Sequence, residues 1–274
     1  MTKMNRTNVN EYYAETYHQA AKNSDIGEDK KLIRVFEDDV PNDKKILDVG
    51  CGPGVTLKFL AKRNKIIGLD LVDKYLNMAK ENGYYKTVKC NVEDGLPFDS
   101  STFDIVVCTD VIEHVFDTEF VGKEIYRVLK DDGYVILNVP NHNVLEHRIN
   151  FLLGNGINVH HNVEDWNYFH IRFFTLDSWN KYLKKIGFKI VEFYPVPATI
   201  RIPIPNFLRS KYRSRNSNSL EQIEKTSRAE SNDPLIVRIY RLLSFRVPTA
   251  LAKKYPNLFS YRFLVKGVKE DNQI

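Results

Sequence analysis

An open α/β fold, in which a mostly parallel sheet carries helices on both faces, is predicted by three observations. Short apolar runs alternate with amphipathic stretches from Lys44 onward. Such alternation is the mark of strand and helix in turn. The run "ILDVGCGPGV" leads an apolar strand through Gly50, Gly52 and Gly54 into the next amphipathic stretch. At 274 residues, with 43% hydrophobic and 27% charged residues, the chain has material for one large core and the composition of a globular protein.

The elements follow in order. Residues 9–22 and 26–38 read as helices forming an N-terminal helical cap over 1–43, closed by the loop from Val40 to Asp43. The core, 44–197, then runs strand 45–49, helix 54–63, strand 65–70, helix 73–82, strand 85–90, strand 103–109, helix 117–130 and strand 133–139. "PNHNVLEHRINFLLGNG" reads as a helix stopped by Gly154 and Gly156, before a polar loop with His160, His161 and His170. Thr175 is an N-cap for a helix over 176–186 that ends at Gly187, and strand 188–195 follows. Residues 198–257 form a basic amphipathic insertion, and 258–274 hold the final strand and tail.

Charge is unevenly distributed. Of the formal +5, the stretch from Ala198 onward supplies fifteen Lys/Arg against six Asp/Glu, a local +9, which leaves −4 before it. The basic insertion mixes Arg and Lys with Ile, Leu, Phe and Tyr at helical spacing, as in "PLIVRIYRLLSFRVPTALAKKY". It reads as a lid packed on the domain, or as a surface for peripheral association with an anionic membrane. Nucleic acid is the weaker partner, because no recognised binding module accompanies the charge. "MTKMNRTNVNEYYAETY" has no apolar leader core and no stretch reaches the roughly 18 apolar residues of a membrane span, so the expected location is cytoplasmic. Cys51, Cys90 and Cys108 lack metal-ligand spacing and are expected to be reduced thiols.

The glycine turn carries the chemistry. Glycines there let the backbone bend sharply and approach a ligand with no Cβ in the way, at the carboxyl end of a strand where open α/β sheets bind ligands. A dinucleotide fingerprint needs a third glycine at position 55, which is Val55. The spacing G-x-G-x-G, with Asp48 two places before its first glycine, resembles the first motif of class I S-adenosylmethionine-dependent methyltransferases. That resemblance extends over residues 44 to about 195 plus the final strand, and it is closest to the small-molecule branch of ubiquinone-pathway and sugar or lipid O-methyltransferases. It implies a Rossmann-like seven-stranded sheet with a helical insertion before the last strand.

The resemblance also implies the site. Asp48, Gly50, Cys51, Gly52 and Gly54 would form the cofactor loop, and Asp70 with Leu71 would meet the ribose at the end of "KIIGLDL". Two hydroxyls can donate to that carboxylate, which suits an unphosphorylated ribose. Asn91 and Val92 would face the adenine, Asn91 standing where the family more often has Asp, and Thr109 would close the fourth strand. Tyr17, with Tyr12 and Tyr13, lies where the branch has aromatics over the cofactor; cation–π contact with a sulfonium and plain packing of the first helix both fit.

"TDVIEHV" places the catalytic candidates Asp110, Glu113 and His114 beyond the fourth strand, beside the expected methyl position. His114 is the first choice of base because imidazole titrates near neutral pH, although it could also orient the loop. Five of seven histidines fall between positions 142 and 170, which favours a polar, proton-handling acceptor. D-x-x-E-H with a distant His170 resembles a divalent-ion set of some members, which have Glu where this chain has Asp110; the expected mechanism uses a base and no metal. The expected function is methyl transfer from S-adenosylmethionine, chiefly to oxygen of a small-molecule or lipid- or glycan-linked acceptor. The alternatives are a non-catalytic S-adenosylmethionine-binding scaffold and an NAD-dependent oxidoreductase.

Overall fold

The computed structural model describes residues 40–152, 170–200 and 245–270. The expected N-terminal helices with Tyr12, Tyr13 and Tyr17, the stop at Gly154 and Gly156, His160, His161 and positions 201–244 of the basic insertion lie outside the described residues.

The core begins with β1 (Lys45–Val49), β2 (Lys65–Asp70), α1 (Asp73–Glu81), β3 (Lys86–Lys89) and β4 (Phe103–Thr109). It continues with α2 (Thr118–Val128), β5 (Leu129–Pro140), α3 (Leu145–Leu152), α4 (Leu176–Lys185) and β6 (Phe188–Pro197). After β7 (Thr199–Ile200) come β8 (Phe245–Arg246), α5 (Thr249–Lys254), α6 (Pro256–Phe259) and β9 (Ser260–Lys269). The seven-stranded sheet has the order β3-β2-β1-β4-β5-β9-β6, as expected for the fold. Neighbours from β3 to β5 pair in parallel, whereas β9 lies antiparallel between β5 and β6.

Period-two alternation along the strands sorts their side chains into two cores. Leu47 and Val49 join Val106, Cys108, Leu137 and Val265 on the face covered by α2 and α4, where Trp179 and Leu183 are buried. Ile46, Ile66, Ile105 and Ile136 point the other way, onto Leu57, Leu60 and the α1 residues Leu76 and Ala79. The helices therefore cover both faces.

Two stretches differ from expectation by more than a residue or two at an end. Residues 54–63 form consecutive turns in place of a helix: Gly54 enters at φ +71°, and the amides of Leu60, Ala61 and Arg63 reach carbonyls three residues back. α2 stops at Val128 because Leu129 turns extended, at ψ 139°, and starts β5 beside Phe103. At the described ends of the insertion, β7 pairs with β8 and two short helices lead into β9.

Thr175 caps α4 as expected. Its hydroxyl accepts from the Ser178 amide at 3.2 Å, and the Ser178 hydroxyl accepts from the Thr175 amide at 2.9 Å, a reciprocal capping box. Gly187 closes the helix at φ +95°. Thr175→Ala should lower the unfolding free energy by about 1 kcal/mol, read as a reduced urea midpoint at unchanged slope.

Candidate active site

The site lies along the carboxyl edge of β2, β1, β4 and β5. The register aligns Val49 with Leu69 on one side and with Cys108 on the other, so the chain leaves β1, β2 and β4 at nearly the same level. The Cys51 amide donates to Leu69 O at 2.8 Å, the Gly54 amide to Cys51 O at 3.0 Å, and together they tie the glycine loop over this edge.

Two glycines have separate reasons. A Cβ on Gly50 would stand 2.3 Å from Val111 Cγ2, so the loop can seat against the β4 exit only without a side chain. Gly52 adopts φ +50° and faces open space, with no atom within 4 Å of where a Cβ would be. That opening, beside an acid, is the cradle the cofactor loop needs. Asp70 stands beside it and accepts from the Gly52 amide at 2.9 Å through Oδ2 and from the Val72 amide at 2.9 Å through Oδ1. Each carboxylate oxygen has a second lone pair, so ribose hydroxyls can still donate to Asp70. Burial outweighs these amides and holds its carboxyl above the usual range. Leu71 follows directly, in the turn to α1.

Asp48 is buried, and its Oδ2 accepts from the Tyr84 hydroxyl at 2.5 Å. Burial pushes this carboxyl up to about 7; the Tyr84 hydrogen bond opposes the shift and the nearby Asp70 charge adds to it. Tyr84 is a site residue that the sequence reading missed, since nothing in the local pattern connects it to an acid 36 positions earlier. Cys51 is a buried free thiol beneath the loop. Asn91 spends its side-chain oxygen on the Glu93 amide at 3.1 Å, capping the short turn that begins at Val92. Its oxygen keeps one lone pair for an adenine amino group.

Beyond Thr109 the chain turns at Asp110, which has φ +56°, and passes Val111 into a single 3-10 turn over Ile112–His114. Glu113 is fully buried, and among the described residues neither carboxylate oxygen has a hydrogen-bond partner. Its Oε1 lies 4.0 Å from His114 Nε2 and 3.7 Å from His170 Nε2. Burial raises the Glu113 carboxyl well above its ordinary value, Asp110 raises it further, and Arg262 opposes.

Backbone contacts bring His170 here. Glu113 O accepts from the amides of Ile171 and Arg172, at 3.0 and 3.2 Å, and Asn141 bridges to Phe174 in parallel. The His170 ring packs edge-on against His114 at 4.7 Å, and its Nδ1 lies 3.0 Å from His142 Nε2. Glu113, His114 and His170 each offer a ligand atom within 4.8 Å of the others, a set that could hold a divalent ion. Asp110 is not in it. Its carboxylate points to Arg262 Nη1 and accepts from Asn138 Nδ2 at 3.0 Å, so the side chain expected to act on the acceptor is engaged by the sheet.

The glycine loop, Asp70 and the acid and imidazole group beyond β4 thus line one edge. Residues 47–137 match the family model described as "Methyltransferase domain", and the chain has the class I S-adenosylmethionine-dependent methyltransferase fold. A mitochondrial ubiquinone biosynthesis O-methyltransferase of Bos taurus is 31% identical over 122 residues, which cover 41% of this chain and 33% of that protein. The ubiquinone biosynthesis O-methyltransferase of Chromobacterium violaceum is 36% identical over 106 residues, covering 36% of this chain and 46% of its own. The match therefore spans less than half the length of these curated relatives. The crystal structure of a SAM-dependent methyltransferase from Archaeoglobus fulgidus shares the fold, at 17% identity and a TM-score of 0.56, with 94% of this chain and 100% of that one covered.

Both buried acids hold protons more tightly folded than unfolded, so the stability they permit is complete below about pH 4 and is lost as pH rises through their folded values. In chelator, urea unfolding of the native protein should therefore weaken with rising pH by up to about 1.4 kcal/mol per pH unit for each such proton. Asp48→Asn should remove its share of the slope between about pH 4 and pH 7, and Glu113→Gln should remove the share that Glu113 adds.

Proposed function

We propose that this chain transfers a methyl group from S-adenosylmethionine to a hydroxyl of a small or lipid-linked acceptor. The observation that carries the reading is the buried Glu113 beside two imidazoles: Glu113 and His114 sit on the turn that leans on the glycine loop through Val111, and His170 is brought to it from the segment before α4. The relatives named as ubiquinone biosynthesis O-methyltransferases support oxygen as the acceptor atom.

When bound, S-adenosylmethionine supplies an electrophilic methyl group on a sulfonium. Asp70 would accept from the ribose hydroxyls, and the bare face of Gly52 would leave room for the cofactor's chain. His114 would accept the acceptor's hydroxyl proton as the oxygen takes the methyl group and the carbon–sulfur bond breaks, leaving the thioether. Glu113 lies close enough to both imidazoles that a proton gained by either favours its ionised form and is stabilised by it in return.

A second reading is favoured by one specific observation, the two carboxylate oxygens of Glu113, which find no donor among the described residues. Glu113, His114 and His170 would then hold a divalent cation, which would polarise the hydroxyl and lower its pKa. Among the described residues no helix is long and apolar enough to cross a membrane. We further propose a cytoplasmic location with peripheral attachment through the basic insertion, checked by salt-sensitive cosedimentation with anionic liposomes.

Transfer of labelled methyl from S-adenosylmethionine to a panel of catechol and phenol probes tests the reading. His114→Ala should lower turnover by about 10²- to 10⁴-fold while leaving S-adenosylhomocysteine affinity nearly intact. Asp70→Ala should weaken that affinity first. Turnover unchanged in His114→Ala would remove the imidazole from the mechanism. Calorimetric binding of Mg²⁺ or Zn²⁺ that Glu113→Gln abolishes, with transfer lost in chelator, would select the second reading.

A further inference from the structure

We infer that Arg262 is a positioning residue of this site: reaching from β9 to Asp110, it fixes the turn that sets both the cofactor loop and the acceptor group. The inference rests on the reading that Glu113 and His114 face the acceptor.

The turn is held against its own preference. Asp110 adopts φ +56°, in the left-handed region that is uncommon outside glycine, although Asp and Asn tolerate it better than other residues. Three contacts hold it there. Its amide donates to Asn138 O at 3.3 Å, its carboxylate accepts from Asn138 Nδ2 at 3.0 Å, and the Arg262 guanidinium donates to the same carboxylate oxygen. Asn138 is wholly buried in β5, and Arg262 pairs across from Pro140 at the end of that strand. The anchor is thus made of sheet, while the residue it anchors begins a loop.

What the turn controls follows directly along the chain. The next residue, Val111, occupies the space that a Gly50 side chain would need, so a shift of the turn is a shift of the wall behind the glycine loop. The His114 amide donates to Val111 O at 2.9 Å, closing the 3-10 turn that carries Glu113 and His114. Arg262 is also the cation that opposes the upward shift of the Glu113 carboxyl. One guanidinium, 152 residues away in sequence from its partner, therefore sets the spacing between the two halves of the site.

The test compares Arg262→Met, Asp110→Asn and the double variant by two readouts. One is the imidazole ¹H–¹⁵N spectrum of histidine-labelled protein, and the other is calorimetric affinity for S-adenosylhomocysteine. Arg262→Met should displace the His114 and His170 signals and weaken S-adenosylhomocysteine binding several-fold. The double variant should look like Arg262→Met alone, because both changes cut the same contact. Arg262→Lys, which keeps the cation and loses the fork, should fall between. A folded Arg262→Met whose imidazole signals superimpose on the native ones, with affinity unchanged, would overturn the inference whatever its melting temperature. Should that variant not fold, folded Asp110→Asn decides by the same signals, since Asn also accepts the left-handed turn. Failure of the native protein to bind S-adenosylhomocysteine would sink the proposed activity; the imidazole spectra would still judge the role of Arg262.

Discussion

The site depends on β1 and β4 lying side by side in parallel register. β2 and β3 extend the sheet from one flank of this pair and β5 from the other, so the loops leaving β1 and β4 diverge to opposite sides and open a crevice at the switch of direction. The glycine loop leaves β1 on one side of the crevice, and the Asp110 turn leaves β4 on the other. Where Val111 approaches Gly50, the two can meet only because Gly50 carries no side chain. A parallel sheet buried on both faces resists sliding, because a one-residue slip would turn Leu47 and Val49 out of one core and into the other. That resistance is what lets loops position chemistry.

The same edge gathers acids. Asp48, Asp70, Asp110 and Glu113 all stand at or just past the ends of β1, β2 and β4, and Arg262 is the cation that meets one of them. Grouping carboxylates in a partly dry crevice is costly, and the upward shifts at Asp48, Asp70 and Glu113 express that cost. A ligand bearing positive charge relieves it. The sulfonium and ammonium groups of S-adenosylmethionine fit this field, whereas the pyrophosphate of a dinucleotide would add to the repulsion.

How much of this was legible depended on distance along the chain. The strands, the glycine loop and Asp70 could be read because each is declared by its immediate neighbours: an apolar run, a turn, an acid at the run's end. Glu113 and His114 were nameable for the same reason. Tyr84, Asn138 and Arg262 were not, because each meets its partner only after the sheet assembles, and a tyrosine before a strand or an arginine within one carries no local sign of that meeting. Asp110 was nameable from its neighbours too, but its contacts were not, because only the sheet brings Arg262 and Asn138 to its carboxylate. The turns at 54–63 looked helical by their apolar spacing, which a chain of i to i−3 bonds can satisfy just as well.

The placement of β9 bears on how the molecule comes into being. Its two sheet neighbours are β5, more than a hundred residues earlier, and β6, separated from it by the whole basic insertion. During synthesis the first five strands can collapse together as they emerge, but the gap between β5 and β6 stays unfilled until residue 269 has left the ribosome. A half-made chain would thus present two open strand edges and hold its acids without their arginine. Arrival of β9, and not the earlier collapse, is the event that closes the sheet.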